Sequence, residues 1–268
     1  MKIKLSSILL IVIACGLLNS CEKNVLRTTE TFLPEDKAFA KFYLISPNTP
    51  NVMIKANDAK LNASTPGFGG VFPSTVTFPD YVAIPTNSVI KFSLPNLGTS
   101  NDSVVIFSNQ VALEAKKYYS LTLADTGIDR TLFTILDNNS NALPADSSYN
   151  IRLVHAMAKS PNLSLVRVDS TSSISVIRDT IIRDVAFKGA SDFVTVPVYS
   201  KRIGTSASFH SFVRYRLVIT ATGVSIGNLI TPAQTTGINQ RNTSIYAIGF
   251  INGTGNLAPV LSQIVYNK

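Results

Sequence analysis

The sequence predicts an all-β protein built as two antiparallel sandwiches in tandem. Beyond residue 37 the chain is a series of short apolar runs separated by Gly, Pro, Asn, Asp and Ser. Val, Ile, Thr, Tyr and Phe fill these runs, and such side chains suit a pleated, half-buried surface. No long stretch repeats apolar residues at the period of an amphipathic helix. With 45% hydrophobic and only 15% charged residues, the chain can bury a core and does not read as disordered.

The first segment reads differently. Met1-Lys2-Ile3-Lys4 is a basic start, and Leu5 to Leu18 is almost wholly apolar and uncharged. That core falls short of the roughly 20 apolar residues a transmembrane helix needs. A basic start, a short apolar core and small residues before a cut site mark an export signal. Here the core ends in Leu18-Asn19-Ser20-Cys21, which resembles the lipobox of bacterial lipoproteins. The resemblance implies removal of residues 1–20, a diacylglycerol on the Cys21 sulfur and acylation of the new amino terminus. The alternative is an ordinary secretory signal with a stray cysteine. Cys15 and Cys21 are the only two cysteines, so the exported chain is expected to have no disulfide. Several acyl chains hold firmly, since each buried methylene contributes about 0.8 kcal/mol.

Residues 21–37 are polar and without period, and read as a lipid-anchored tether. The strand-like runs follow in order: Ala40–Ile45, Tyr81–Pro85, Val89–Leu94, Val104–Phe107, Tyr118–Leu123, Thr131–Leu136, Ile151–His155, Phe193–Pro197, Val213–Ile219 and Ser244–Ile251. Val213-Arg214-Tyr215-Arg216 alternates bulky and basic residues, the pattern of a strand with one wet face.

Internal similarity sets the domain count. Phe42-Tyr43-Leu44-Ile45-Ser46, followed by Pro50-Asn51-Val52, parallels Arg152-Leu153-Val154-His155-Ala156, followed by Pro161-Asn162-Leu163. Asp80–Pro85 parallels Asp192–Pro197, and Tyr118–Leu123 parallels Ile245–Phe250, the last offset growing through an insertion around Ser200–Ser211. The expected domains are residues 38–140 and 147–268, joined through the turn-rich Asp137–Ser148 into a two-domain rod. Short strands in domains of this size point to an immunoglobulin-like sandwich. The second copy, through Arg152–Ala156, Ser160-Pro161-Asn162 and Ala190–Pro197, also resembles the domain of unknown function 4397. That resemblance implies an exported, sandwich-like β protein and no activity. An acid that often follows the Pro-containing turn in that family is Met53 in one copy and Ser164 in the other.

Residues that could carry chemistry are few. His155 and His210 are the only histidines, too few for a histidine-built zinc site without many carboxylates. His155 shares a strand face with Ile151 and Leu153 and reads as a buried histidine with a local hydrogen bond; Ile45 takes its place in the first copy. His210 reads as part of an exposed Ser-rich loop. Nucleophile-elbow, metalloprotease and phosphate-loop motifs are missing. Gly67-Phe68-Gly69-Gly70 reads as a loop or bulge, and Asp58 and Asp169 as hairpin-turn residues. Asp137-x-Asn139-x-Asn141 opens like a calcium loop but has Ala142 where glycine and Ser148 where glutamate belong, so a polar linker is expected. Asp102-Ser103-Val104 and Asp179-Thr180-Ile181 resemble a short O-glycosylation acceptor pattern. Tyr118, Tyr119, Tyr199, Tyr215 and Tyr246 could form a sugar-stacking surface, although alternation assigns most of them to the core.

The formal charge of +8 falls to +6 once Lys2 and Lys4 leave with the signal. The remaining basic residues, such as Lys116-Lys117, Arg178, Arg183, Lys201-Arg202, Arg214 and Arg216, form no dense block, so nucleic acid is not an expected partner. The expectation is a non-enzymatic lipoprotein of the cell envelope, in the outer membrane, acting in binding, adhesion or envelope structure without a cofactor or metal. Its partners would be the membrane through Cys21 and envelope proteins or polysaccharide. A glycan-binding lipoprotein for polysaccharide capture is the alternative. An exported hydrolase using His155 or His210 with Asp192 or Asp184 is a further one.

Overall fold

The first strand shows how alternation builds the core. In β1 (Lys37–Leu44), Ala38, Ala40, Phe42 and Leu44 are fully buried on one face, while Phe39 and Lys41 stand half-buried on the other. Burying each of the larger of these side chains contributes about 1.5–3 kcal/mol. The computed structural model describes residues 35–73, 81–96, 102–137, 148–170, 175–198, 213–231 and 242–266. Asp36–Lys268 forms one compact unit. Cys21, the tether up to Pro34, Tyr199, Lys201, Arg202 and His210 lie outside the described residues.

After β1 come β2 (Met53–Ala56), β3 (Ala59–Lys60), β4 (Val71–Phe72), β5 (Val82–Pro85), β6 (Asn87–Pro95), β7 (Asp102–Ala112), β8 (Tyr118–Ala124) and β9 (Thr131–Leu136). One sheet runs β4-β1-β8-β9, with β5 also on β1, and the other runs β3-β2-β6-β7. Their facing sides meet in a core of Phe42, Leu44, Ile54, Ile84, Ile90, Phe92, Leu121 and Leu123, all fully buried. The remaining strands are β10 (Ser148–His155), β11 (Leu163–Ser170), β12 (Ser175–Val185), β13 (Val194–Pro197), β14 (Arg214–Ile219), β15 (Ser225–Ile230), β16 (Asn242–Ile248) and β17 (Val260–Tyr266). They form sheets β13-β10-β16-β17 and β12-β11-β14-β15 around Tyr149, Leu153, Leu163, Leu165, Tyr215, Leu217 and Ile245.

The protein is all-β with sandwich-like layers, as the alternating runs predict, and every predicted run contains or overlaps a strand. The pairing differs in one respect from the expectation. β1 pairs parallel with β8, from Phe39↔Tyr118 to Leu44↔Leu123, and β10 pairs parallel with β16, from Asn150↔Asn242 to His155↔Ala247. The sheets that carry them are therefore mixed. Lettered A to H along the chain, the strands of residues 148–266 lie D-A-G-H against C-B-E-F, in place of the ABED and CFG sheets of an immunoglobulin domain. The first strand occupies the middle of its sheet, and five strands, β11 to β15, intervene before its parallel partner arrives; in the first set six intervene, β2 to β7.

The order and pairing of strands in residues 37–136 recur in residues 148–266, with β4 as an addition to the first set. Hydrogen bonds fix the correspondence. Leu44 N donates to Gly70 O at 2.9 Å while Gly69 N donates to Leu44 O at 2.7 Å; His155 N donates to Gly189 O and Lys188 N to His155 O, both at 2.9 Å. Leu44, not Ile45, therefore stands where His155 stands. Likewise β1 meets β8 at Phe42↔Leu121 and β10 meets β16 at Leu153↔Ile245, so Leu121 corresponds to Ile245 and not to Ile248. The same comparison equates Gly67-Phe68-Gly69-Gly70 with Ala186-Phe187-Lys188-Gly189. Each is a tight turn closed by a bond from the last N–H to the first carbonyl, with φ of 76° at Gly69 and 68° at Lys188. Asp58 sits in the β2–β3 turn with φ of 65°, as expected, whereas Asp169 lies within β11, opposite Val176, because β11 and β12 are longer than β2 and β3.

The two pairs of sheets also pack on each other. The outer face of the β1 sheet presents Tyr43, Ile45, Ala124, Phe133 and Ile135 to Val154, Ala156 and Tyr246 on the outer face of the β10 sheet. The rings of Tyr43 and Tyr246 lie 5.1 Å apart. This face-to-face seam replaces the expected rod of two domains separated by a linker. It also explains why β10, whose sequence alternates apolar Tyr149, Ile151 and Leu153 with polar Asn150 and Arg152, is nonetheless buried on both faces.

Candidate functional site

Polar chemistry concentrates where β9 ends and β10 begins its path along the seam. Asp137 follows β9, and Arg152 lies in β10 between the apolar Ile151 and Leu153. Arg152 Nη2 donates to Asp137 Oδ1, and both side chains are almost wholly buried. Asp137 Oδ2 also accepts from Ser120 Oγ at 2.6 Å and from Tyr81 OH at 2.9 Å. Arg152 Nε donates to Ser244 Oγ at 2.6 Å, and Nη1 to Leu136 O at 3.3 Å. Its guanidinium also lies 4.8 Å from the centre of the Phe193 ring. A buried ion pair is tolerated only when hydrogen bonds satisfy its remaining atoms, and this one has them from three strands and one loop.

This arrangement corrects the calcium-loop likeness of Asp137. Both carboxylate oxygens are engaged by protein donors, so the residue that would open such a loop is committed to Arg152. Asn139 and Asn141 lie outside the described residues. Among the described residues no group of three or more His, Cys, Asp or Glu could hold a metal ion. Beside the ion pair opens a cleft of about 420 Å³ lined by Ile135, Leu136, Arg152, Ala190, Ser191, Asp192 and Phe193. Arg152 contributes to its wall but is already engaged, and Asp192 is its exposed acid.

His155 occupies the opposite side of β10. It is fully buried, Nδ1 accepts from Met157 N at 3.2 Å, and Nε2 lies 3.1 Å from Pro161 O and 3.0 Å from Ser160 Oγ. These partners select the neutral tautomer with the proton on Nε2. Burial pushes its pKa down to about 4, against a smaller opposing effect of the Pro161 carbonyl. The hydrolase reading needs this imidazole open and beside a carboxylate, and its ring partners are instead a backbone amide, a carbonyl and a serine. Asp184 is exposed near the end of β12, with φ of 57°, and accepts from Asn162 Nδ2 at 3.0 Å. His155 thus ties the Ala156–Pro161 loop to the sandwich, which is the local role expected of it.

The tyrosines are similarly inward. Tyr215 and Tyr246 are fully buried and Tyr119 is 8% exposed. Tyr118 is half-buried, stacked 5.0 Å from Phe39 and edge-on to Tyr81 at 5.0 Å. Among the described tyrosines none is exposed, so they form no flat sugar platform. Tyr149 and Tyr215 share a hydroxyl contact of 3.3 Å, and burial pushes the Tyr215 hydroxyl up to about 12. Of the two acceptor-like triplets, Asp179 is exposed on β12 and lies 3.6 Å from Arg167, and Thr180 is half-buried. The side chains of Asp102 and Ser103 lie outside the described ones.

Arg152, Tyr81, Ser120 and Ser244 are the residues that motif reading passes over. One signal could have found the first: an arginine flanked in its strand by the apolar Ile151, Leu153 and Val154 must either face water or meet a buried acid. The positions where the related family often carries an acid are also explained. Met53 and Ser164 are buried, and Ser164 Oγ bonds Thr220 Oγ1 at 2.8 Å and accepts from Asp184 N at 3.1 Å.

No curated protein matches the chain. Residues 38–166 match the family model described as Domain of unknown function (DUF4397), from the start of β1 through β10 and into β11. The family agrees with the one suggested by the sequence, while the match lies mainly over the first set of strands. On that match, the chain carries a DUF4397-like domain over residues 38–166.

Proposed function

We propose that this chain is a non-enzymatic lipoprotein of the cell envelope, anchored in the outer membrane through a lipid on Cys21, whose stacked sandwiches act in binding, adhesion or envelope structure. The observation that carries the binding half is the seam. Arg152, Asp137 and the Tyr43–Tyr246 contact hold the two sandwiches as one body, which leaves loops and sheet faces as preorganised surface. The anchor rests on the lipobox-like Leu18–Cys21 after an uncharged apolar core. The inward placement of His155 favours this reading over the hydrolase. Glycan capture, the second reading, has to rest on groups other than the described tyrosines.

Metabolic labelling with a palmitate analogue tests the anchor. The full chain should be labelled and Cys21→Ser should not; labelling that persists in the variant overturns the assignment. Cross-linking of the lipidated protein on cells tests the binding role, with a defined envelope protein or polysaccharide expected in the product. Recovery of the chain alone, at every cross-linker length, counts against it.

A further inference from the structure

His155 holds a loop whose counterpart forms without a histidine. Leu44 stands in the first set of strands where His155 stands in the second, and both side chains are fully buried. The turns that follow share one shape. Asn48 and Lys159, four residues beyond these positions, have φ of 59° and 54°. Thr49 Oγ1 donates to Ser46 O at 2.6 Å, as Ser160 Oγ donates to Met157 O at 3.1 Å. An apolar side chain therefore serves this place once, and the imidazole adds something that the turn itself does not require.

What it adds is one ring bonded to both ends of the loop. Nδ1 accepts from Met157 N, and Nε2 faces Pro161 O and Ser160 Oγ. A doubly protonated imidazole has no acceptor, so protonation sets an N–H at Nδ1 against the Met157 N–H. It also places a positive charge where water does not reach. Among the described residues, the charged groups on the elements packed round the ring offer no counter-charge. Lys159 of the loop pairs with Asp129 of the β8–β9 turn at 2.9 Å, and Asp125 of that turn accepts from Thr126 N. The Ala186–Gly189 turn sets Phe187 edge-on to the ring at 5.9 Å and contributes a second cation, Lys188, over the far ring. On β12, Arg183 and Asp184 are exposed, and Asp184 is bonded to Asn162. β16 brings Ala247 alongside and carries no charged residue.

We propose that protonation of the buried His155 ring unlatches the Ala156–Pro161 loop from the end of the sandwich while the sheets stay formed. Opening the loop lets water reach the charge and separates the two opposed N–H groups. It also parts the loop from the first set of strands, since Lys159 and Asp129 belong to different sets. The first loop has no such response, because Leu44 does not titrate. Loops at the end of a sandwich form much of its contact surface, so this device changes that surface with pH whatever the surface binds.

The test is amide hydrogen exchange of the full chain by NMR, with each rate corrected for intrinsic exchange at the same pH. The Met157 amide reports the latch, and the amides of the buried Leu165 and Ile245 report the sheets. An open loop returns His155 to its ordinary pKa of 6.5 from about 4. Protection at Met157 should therefore fall about fifty-fold between about pH 7 and about pH 4.5. At the lower pH that exchange should be insensitive to urea below the unfolding midpoint, as local opening exposes little surface. Leu165 and Ile245 should exchange more slowly and speed up with urea. His155→Leu, which installs the residue of the first set, and His155→Gln carry no titrating ring, and Met157 protection in them should not change with pH. Wild-type protection at Met157 that is independent of pH overturns the proposal. So does exchange at Met157 that matches Leu165 and Ile245 in rate and in urea dependence, because the loop then opens only with the whole molecule. A fall that persists in either variant overturns it equally.

Discussion

The ion pair in the seam supports a quantitative prediction. Asp137→Ala leaves the Arg152 guanidinium buried against Ser244 and Leu136 O with its counter-charge removed. At an effective dielectric near 20, two unit charges about 4 Å apart attract by about 4 kcal/mol. Removing one partner of a buried pair costs about 3–5 kcal/mol, because the surviving charge keeps its desolvation cost. Against a typical stability of about 5–15 kcal/mol, that is a large fraction. Asp137→Ala/Arg152→Met replaces the pair by apolar groups, and should recover most of the loss. Ser120 and Tyr81 hydroxyls then lose an acceptor, so recovery should fall short of complete. The assay is urea unfolding followed by far-UV circular dichroism and by tyrosine fluorescence, as the chain has no tryptophan. The wild type should show coincident transitions. Asp137→Ala should lower the midpoint and separate the two probes, since the seam that couples the sandwiches is weakened. Lys159→Ala removes the exposed pair with Asp129, 2.9 Å apart, and should leave the midpoint unchanged. A loss under about 1 kcal/mol for Asp137→Ala, the range of exposed pairs, would refute the reasoning. A double variant as unstable as the sum of the two singles would do so equally.

Further outcomes concern the rest of the framework. His155 has a folded pKa of about 4 against 6.5 for the free side chain. Between those values the unfolded chain binds a proton that the folded chain does not, so stability is complete above 6.5 and is lost as pH falls toward 4. The loss should approach about 3 kcal/mol, and His155→Gln should flatten the urea-midpoint profile across that window. Tyr43→Ala removes a fully buried ring from the seam and should cost about 3–5 kcal/mol by the same denaturation assay. Gly249 has φ of 93°, and a Cβ there would lie 2.2 Å from Ala258 O. Gly249→Ala should therefore lower stability by about 2 kcal/mol or more, read as a fall in melting temperature.

Alternation and composition alone determined that the described part of this chain is nearly all β. Phe42, Leu44, Ile90, Phe92, Leu153 and Leu217 lie inside, as their runs require, because side chains on a strand must choose between two faces and only one is dry. The likeness to the DUF4397 family was also legible from short motifs, although the match over residues 38–166 stops short of Ala190–Pro197. The short strands β3 and β4 were not, as two residues carry no period. β15, with Gly227 and Asn228 in its middle, lacks the run of bulky residues that marks a strand. Parallel pairing of β1 with β8 was equally hidden, because the side chains of a buried strand look alike whichever way its neighbour runs. The exact correspondence between the two sets of strands was set by backbone bonds such as Leu44 to Gly70 and His155 to Gly189, which side-chain likeness places one residue off.

The polar cluster was the least legible. Asp137 read as part of a polar linker that opens like a calcium loop, because only its neighbours in sequence were visible, and Arg152 read as one letter of a motif. Their meeting depends on two sheets packing face to face, which no local pattern encodes. Lys60, Lys55 and Lys91 are an intermediate case: each is an ordinary outward residue in its own strand, and only strand register sets the three side by side. What the sequence by itself determined were properties that each strand owns alone: its period, its buried face and its residue types. What the tertiary structure decided were the pairings between distant segments, because burial and hydrogen bonding reward contact in space without regard to distance along the chain.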